Sequence, residues 1–487
     1  MLMVYRMSVA VVFASLLAGC AVGPNYLRPK VVVPDAYKEV EGWKPAQPKD
    51  DTVRGAWWEI FNDPQLNALE ERVSISNQNV LIAEAQFRQA SALVRAAQAS
   101  YFPTVTAGGS YTRSVRSSNI TQVPGVSTKV ISDHLLPANA SWELDVWGRI
   151  RRTVEASKAT AQASASDLEA VRLSAQAALA QAYFQLLTVD AQKQLVEATV
   201  VAYQRSLDLT KNRYGSGVAS KADVLQAETL LKTTQAQAID LGIQRAQLEH
   251  AIALLVGTPA STFSIPVSLL TAPPPAIPAG VPSELLERRP DVGGAERRVA
   301  AANAQIGVAL AAFFPKITLA ASAGFESSDL NNLLMWPSRF WSLGPLGLSE
   351  TVFEGGLRRA LTDQARAAYD GAVASYRQTV LTGFQEVEDN VAALRILEGE
   401  AVVQEEAVKA ARQSADVALN QYKAGTVSYL NVVVAQTTAL SNERTAVDIR
   451  GRRMAASVLL IKALGGDWER PKEEARAGAP GGNGQNP

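Results

Sequence analysis

Residues 154–213 read VEASKATAQASASDLEAVRLSAQAALAQAYFQLLTVDAQKQLVEATVVAYQRSLDLTKNR, with no proline and no glycine. Nothing in this run stops a helix, and at 1.5 Å per residue it reaches about 90 Å, far beyond a globular-protein helix. A seam at alternating spacings of three and four passes through Ala156, Ala159, Ala163, Ser166, Ala170, Leu173, Ala177, Ala180, Phe184, Leu187, Ala191, Gln194, Ala198 and Val201. It is a heptad stripe of mostly small residues, which allow close backbone approach. A second face carries Ala161, Ala165, Leu168, Ala175, Leu179, Ala182, Leu186 and Val189, broken only by Arg172. Two apolar stripes beside one polar face suit a ring of helices around water better than a two-stranded coil. An ordinary solvent-facing bundle is the plainer alternative.

Outward from this helix the chain repeats itself. Ala99-Ser100-Tyr101-Phe102-Pro103-Thr104-Val105-Thr106 recurs 212 residues later as Ala311-Ala312-Phe313-Phe314-Pro315-Lys316-Ile317-Thr318. Asn212-Arg213-Tyr214-Gly215-Ser216-Gly217 recurs 208 residues later as Asn420-Gln421-Tyr422-Lys423-Ala424-Gly425. Each copy holds a helix, a Phe-Pro stop, two short alternating segments, a very long helix, a glycine turn and another helix. The second long seam runs from Tyr369 and Val373 through Tyr376, Val380 and Val387 to Ala411, Ala415 and Ala418. The copies span 65–257 and 283–468. A proline-rich linker, 258–282, joins them, and a glycine-rich tail, 469–487, is expected to be disordered.

Between each Phe-Pro stop and long helix the period changes from 3.6 to 2. Trp142, Leu144 and Val146 alternate with Ser141, Glu143 and Asp145, and Ile317 to Phe325 alternates likewise. With Thr106–Arg116 and Phe340–Phe353 these make four predicted strands of the length that a tilted membrane strand needs. Four strands cannot close a barrel, and an open edge in lipid leaves backbone groups unpaired, so several copies must pool their strands. The segments 117–132 and 326–338 read as exterior loops.

Lys and Arg together number 47, as do Asp and Glu, so no basic excess points to nucleic acid. Two histidines, His134 and His250, and one cysteine, Cys20, leave no metal or disulfide framework to draw. The start MLMVYRMSVAVVFASLLAGC combines one arginine, a short apolar run and Leu-Ala-Gly-Cys. It reads as a signal peptide, 1–19, ending at a lipoprotein site whose Cys20 thiol would carry the acyl chains. Ala21 is not the aspartate that retains lipoproteins in the inner membrane, so the expected address is the outer membrane.

The chain resembles outer-membrane efflux proteins of the NodT and OprM type, relatives of TolC, from Cys20 to Trp468. The motifs are Cys20-Ala21-Val22-Gly23-Pro24-Asn25-Tyr26, Trp57-Trp58 with Phe61-Asn62-Asp63-Pro64, Arg289-Pro290-Asp291-Val292, Ala301 to Val308, and Phe353-Glu354-Gly355-Gly356. The resemblance implies a mainly α fold with a membrane β-barrel. It implies a homotrimer with a twelve-stranded barrel, four strands per chain, on a twelve-helix periplasmic α-barrel with an equatorial domain, to which 20–64 contribute. It also implies outer-membrane lipid around the barrel, a periplasmic membrane-fusion adaptor and an inner-membrane resistance-nodulation-division (RND) pump as partners, and no cofactor beyond the acyl chains on Cys20.

In such proteins the helix-turn-helix tips meet the adaptor. Here they match Tyr214, Gly215, Gly217 and Ser220, and Tyr422, Gly425 and Ser428. Gly215, Gly217 and Gly425 suit a sharp reversal, and Ser220 and Ser428 can cap the following helix. The acidic gate of the family is kept in part: Asp223 is matched by Asn431, with Val434 three residues on, so the gate is weaker in charge or more apolar. Asp223 can equally serve the helix dipole alone. Glu350 stands where the family has Pro or Gln, and is expected to face the lumen unless that strand's register differs.

Three rival readings are weaker. An enzyme would need a motif such as GxSxG, HExxH or a P-loop, and the sequence carries none of these. A lipid-anchored spacer would share the helices but not the membrane-length strands. A TolC-type duct for secreted proteins is the nearest alternative.

Overall fold

The computed structural model describes residues 21–34, 37–38, 56–115, 117, 130–270, 273–275, 277 and 288–466. The expected signal peptide, Cys20, residues 271–272, 276 and 278–282 of the linker and the expected tail lie outside the described residues. Asp63 starts helix α1 (Pro64–Ser76) by accepting from the N–H groups of Gln65 and Leu66 at 2.9 and 3.1 Å. Asn77 does the same for α2 (Gln78–Ala99), accepting from Asn79 and Val80 at 3.0 and 3.2 Å.

Strands β1 (Thr104–Ala107), β2 (Ser110–Ser114) and β3 (Ile131–Glu143) follow. Then come α3 (Arg149–Gly215) and α4 (Lys221–Leu255). The second copy supplies α5 (Pro290–Ala311), β4 (Lys316–Ser327), β5 (Arg339–Ser349), α6 (Leu357–Lys423) and α7 (Tyr429–Ala463). Matched helices have matched lengths: 22 residues for α2 and α5, 67 for α3 and α6, and 35 for α4 and α7.

The chain divides into two compact units, one of residues 1–29, 87–163 and 295–376, the other of 30–86, 164–294 and 377–487. The first unit contains an antiparallel sheet in the order β1-β3-β4-β5, with β2 continuing the line of β1 along β3. The second strand differs from expectation. β3 ends at Glu143, and Asp145 instead accepts from the N–H groups of Ile150 and Arg151 at 2.8 and 2.9 Å, starting α3. The Leu144–Val146 alternation is a connection, while the true strand begins at Ile131. Glu350 likewise lies beyond β5, which ends at Ser349, and accepts from Arg358 at 2.6 Å rather than belonging to a strand.

In this unit the segment after Cys20 is clamped at the foot of the sheet. Val22 donates to the Trp147 carbonyl at 3.1 Å, and Arg152 donates to the carbonyls of Val22 and Gly23 and to Asn25. Tyr26 hydrogen-bonds Glu296, and Asn303 donates to the Pro24 carbonyl at 3.0 Å. A Cβ on Gly23 would stand 2.5 Å from the Gly307 Cα, so the close approach requires glycine there. Trp147 stacks on Phe314, ring centroids 4.8 Å apart.

In the second unit α1 lies against α3: Tyr183 donates to Asp63 at 2.8 Å, and Gln176 to Ser74 at 3.1 Å. Arg289 is held by Asp291, Glu386 and the Ala463 carbonyl, and Arg245 by Asp190 and the Ile265 carbonyl. The second seam of α3 is buried or half-buried from Ala161 to Val189 and continues into Val196, Tyr203 and Thr210. The first seam departs from expectation at its far end: it is buried or half-buried from Ala156 to Ala191, but Gln194, Ala198 and Val201 are exposed.

Candidate functional site

Two features can carry function: the sheet of the first unit and the hairpin tips of the second. Side chains directly opposite on antiparallel strands share a face, so the register sorts the sheet. One face joins Val105, Ala140, Ala321 and Leu343 in one row and Ala107, Ala138, Ala323 and Trp341 in another. Trp142, Leu319 and Leu346 make a third row. A bulge between Leu319 and Ala321 keeps Leu343 and Leu346 on this side. The opposite face joins Thr106, Asn139, Ser322 and Ser342, then Thr104, Ser141 and Ala320, then Glu143, Thr318 and Gly347, with Pro137, Gly324 and Phe340 as an apolar row toward the loops. Every member of the three apolar rows is hydrocarbon or tryptophan, and Trp341 is 80% exposed. Aromatic residues flank both ends, Tyr111 and Trp336 near the loops and Tyr101, Phe102 and Phe313 near the helices.

At the tips both turns follow one plan. Val218 and Thr426 donate back to the carbonyls of Arg213 and Gln421 at 2.9 and 3.0 Å, with Gly217 and Gly425 left-handed at φ of 75° and 79°. These are Schellman closures. Gly215 does not take the left-handed conformation and sits in the last turn of α3, so the reversal does not depend on it. Ser220 and Asp223 form a reciprocal capping box, both bonds 3.1 Å, which gives Asp223 a structural task. Ser428 makes no side-chain cap bond, contrary to expectation; the third helical position there is Asn431, whose N–H reaches the Ser428 carbonyl at 3.2 Å. Asn431 and Val434 are exposed.

Tyr203, Leu207, Val224, Ala227 and Leu231 of the first hairpin share one apolar core with Tyr422, Tyr429 and Val432 of the second. Ser206 and Tyr429 hydroxyls hydrogen-bond at 3.1 Å, and Arg213 donates to the Lys423 carbonyl at 2.8 Å with its guanidinium 4.9 Å from the Tyr422 ring centroid. Burial pushes Tyr203 up to about 12 and also raises Tyr429. Arg213, Ser206 and Tyr429 were not singled out from the sequence. The sequence carries no distinct signal for them, since Arg213 against Gln421 is one of three mismatches in the six-residue tip repeat.

A sheet with one dry and one wet face, joined to helical hairpins far longer than a globule uses, defines a channel-forming protein of the bacterial envelope. The chain matches the family described as outer membrane efflux protein over residues 69–258 and 281–466. It is 32% identical to the toluene efflux pump outer membrane protein TtgC of Pseudomonas putida over 461 residues, 94% of each chain. The solved outer-membrane channel OprN superposes with a TM-score of 0.84 at 31% identity, covering 92% of this chain and 99% of that one. The open-state MtrE channel of Neisseria gonorrhoeae gives 0.80 at 26%, covering 93% and 99%. The chain belongs to the outer membrane efflux protein family. It is an outer-membrane channel component of an efflux pump with a mainly helical, TolC-like fold, and transport rather than catalysis is its activity.

Proposed function

We propose that three copies pool their strands into a twelve-stranded barrel, through which small molecules leave the cell after passing along the helices. The observation that carries this reading is the two-faced sheet. Its four strand lines leave both edges, β1/β2 and β5, without a partner among the described residues, and its apolar face suits lipid while its polar face suits water.

The repeat supplies a second support. Within the chain, Phe314 of the second Phe-Pro turn stacks on Trp147, just before α3. The matching Phe102 is 71% exposed, and so is Phe353, at 88%, in the turn just before α6. Each is half of a contact that another copy would complete, head to tail, and such contacts close into rings.

The clamp on Ala21 to Tyr26 at the foot of the sheet favours the Cys20 acyl anchor, because it holds the chain one residue from Cys20 beside the strand ends. The tips, Tyr214 to Ser220 and Tyr422 to Ser428, are the surface for a periplasmic adaptor, behind which an inner-membrane RND pump would supply substrate. Asp223, Asn431 and Val434 form the gate in this reading. Small apolar organic compounds, as in the name of the toluene-pump relative, are the cargo class.

Native mass and planar-bilayer conductance of protein purified from outer membrane test the assembly, with and without an adaptor. A trimer that conducts weakly until the adaptor engages supports the duct. A non-conducting monomer would overturn it. For the anchor, Cys20→Ser should remove the acyl mass from the N-terminal peptide; an unchanged mass would remove the lipid assignment.

A further inference from the structure

The register sorts the charges of the sheet as well as its hydrocarbon. On the apolar face, the row beyond Ala138, Ala323 and Trp341 is Leu136, Phe325 and Arg339. Next toward the loops come Tyr111, His134 and Ser327, and then Arg113 with Ser132. The strands hold four basic residues, and the three on the apolar face, Arg113, His134 and Arg339, all sit at the loop end. The fourth, Lys316, lies at the helix end on the polar face, 2.9 Å from Glu143. The apolar face ends there in hydrocarbon alone, Ile317 opposite Leu348. The acids of the strands, Asp133, Glu143 and Glu326, all take the polar face.

Arg113 and Arg339 are exposed, and among the described residues neither guanidinium meets a carboxylate. Arg339 donates from Nε to the Trp336 carbonyl at 3.1 Å, with its guanidinium over the Trp336 ring. A guanidinium on a lipid-facing surface is strongly unfavourable at mid-membrane and nearly free at the interface, where its stem lies along the apolar surface while its head reaches out. Tyr111, Trp336 and Trp341 mark the same level. With the helices on the periplasmic side, that level is the headgroup layer of the outer leaflet. The acids that could neutralise the two arginines are turned to the other face, so the counter-charge comes from the membrane. A planar guanidinium takes phosphate through two hydrogen bonds at once.

Within one chain the two arginines stand three strand spacings apart, about 14 Å, and about 13 Å apart along the strands, too far to share one headgroup phosphate. In the ring proposed above, β5 of one copy lies beside β1/β2 of the next, so Arg339 and Arg113 flank each seam. We infer that each seam carries a site for a phosphorylated lipid of the outer leaflet, with Arg339 of one chain and Arg113 of the next on its phosphates and Trp341 against its acyl chains. The inference rests on the trimeric-barrel reading above.

Native mass spectrometry of the delipidated trimer, titrated with bis-phosphorylated lipid A in detergent, tests the site. The wild type should take up about three lipids per trimer, one for each seam, and should bind dephosphorylated lipid A at least ten-fold more weakly. Arg113→Gln with Arg339→Gln should weaken binding of the phosphorylated lipid at least ten-fold and leave the dephosphorylated one unchanged, whereas Arg113→Lys with Arg339→Lys should keep it within about three-fold. If the double Gln variant does not assemble, the single Gln variants carry the test, each expected to lose at least three-fold. Inorganic phosphate at millimolar concentration should not displace the lipid. Equal binding by wild type and Gln variants, equal binding of the two lipids, or displacement by inorganic phosphate would overturn the site, while trimer mass and adaptor-opened conductance would still uphold the duct. A monomeric wild-type preparation would remove both.

Discussion

The helices α3 and α6 have the same length and the same seam spacing, yet they are buried differently. α3 buries stripes on two faces between Ala156 and Val189, including Leu179 and Leu186 at 0% exposure. α6 buries one stripe, through Tyr376, Val380, Val387 and Leu397 to Ala411, Ala418 and Tyr422, and leaves Leu381, Ile396, Val402 and Val417 in the open. A helix flanked on both sides by its own chain is finished; one flanked on one side still carries surface for a partner. The difference teaches that α3 is an interior element of the protomer and α6 an outer one.

Charge in the two helices separates them most sharply. Leu186→Asp should unfold the protomer, since losing a core leucine and burying an unpaired carboxylate costs more than about 4 kcal/mol. Leu381→Asp should keep native helical content in circular dichroism while shifting native mass from the trimer proposed above to monomer. If Leu381→Asp stays trimeric, the outer face of α6 is not an interface.

The packing beside α3 also traps Glu70 of α1, which is fully buried with neither carboxylate oxygen hydrogen-bonded. Burial pushes its carboxyl up to about 9 from an ordinary 4.5. The folded protein keeps this proton to about pH 9, whereas the unfolded chain releases it near 4.5. The unfolded state thus binds fewer protons between those limits, and stability falls as pH rises from about 4.5 to about 9. Glu70→Gln should therefore raise thermal stability at pH 8 by the order of 2–4 kcal/mol and by little at pH 4.5. Equal gains at both pH values would show that Glu70 titrates normally.

The caps give a smaller contrast. Ser220→Ala breaks the capping box and should cost about 1 kcal/mol, against a few tenths for Ser428→Ala, which loses no side-chain bond; equal losses in urea melts would deny the asymmetry. The smallest expected effect is on ion selectivity. Asp223→Asn keeps an oxygen to accept from Ser220 and should leave stability nearly unchanged while lowering single-channel cation preference. An unaltered reversal potential removes Asp223 from the gate.

Much of this was legible in the sequence because helix periodicity and the repeat are long-range signals. The seam of α6 is buried or half-buried at every position read from Tyr369 to Ala418. Short-range signals failed where a neighbour decides. The start of β3 hides behind Pro137 and the alanines 138 and 140, whose face is apparent only from their partners Gly324, Ala323 and Ala321. Gln194, Ala198 and Val201 continue a heptad, but the packing near the tip moves to the face of Val196 and Tyr203. Glu70 looks like one more solvent-facing helical acid until α1 is docked. The tip motif was legible, while its latch was not, since Arg213 acts through the carbonyl of Lys423, 210 residues away.

The equal helix lengths constrain inheritance as well as architecture. A seven-residue insertion in α3 and α4 alone would carry one glycine turn about 10 Å past the other and tear Ser206 from Tyr429 and Arg213 from Lys423. Length in this protein is therefore a paired trait. Descendants, or an engineer wishing to lengthen the hairpins, must add heptads to all four helices at once.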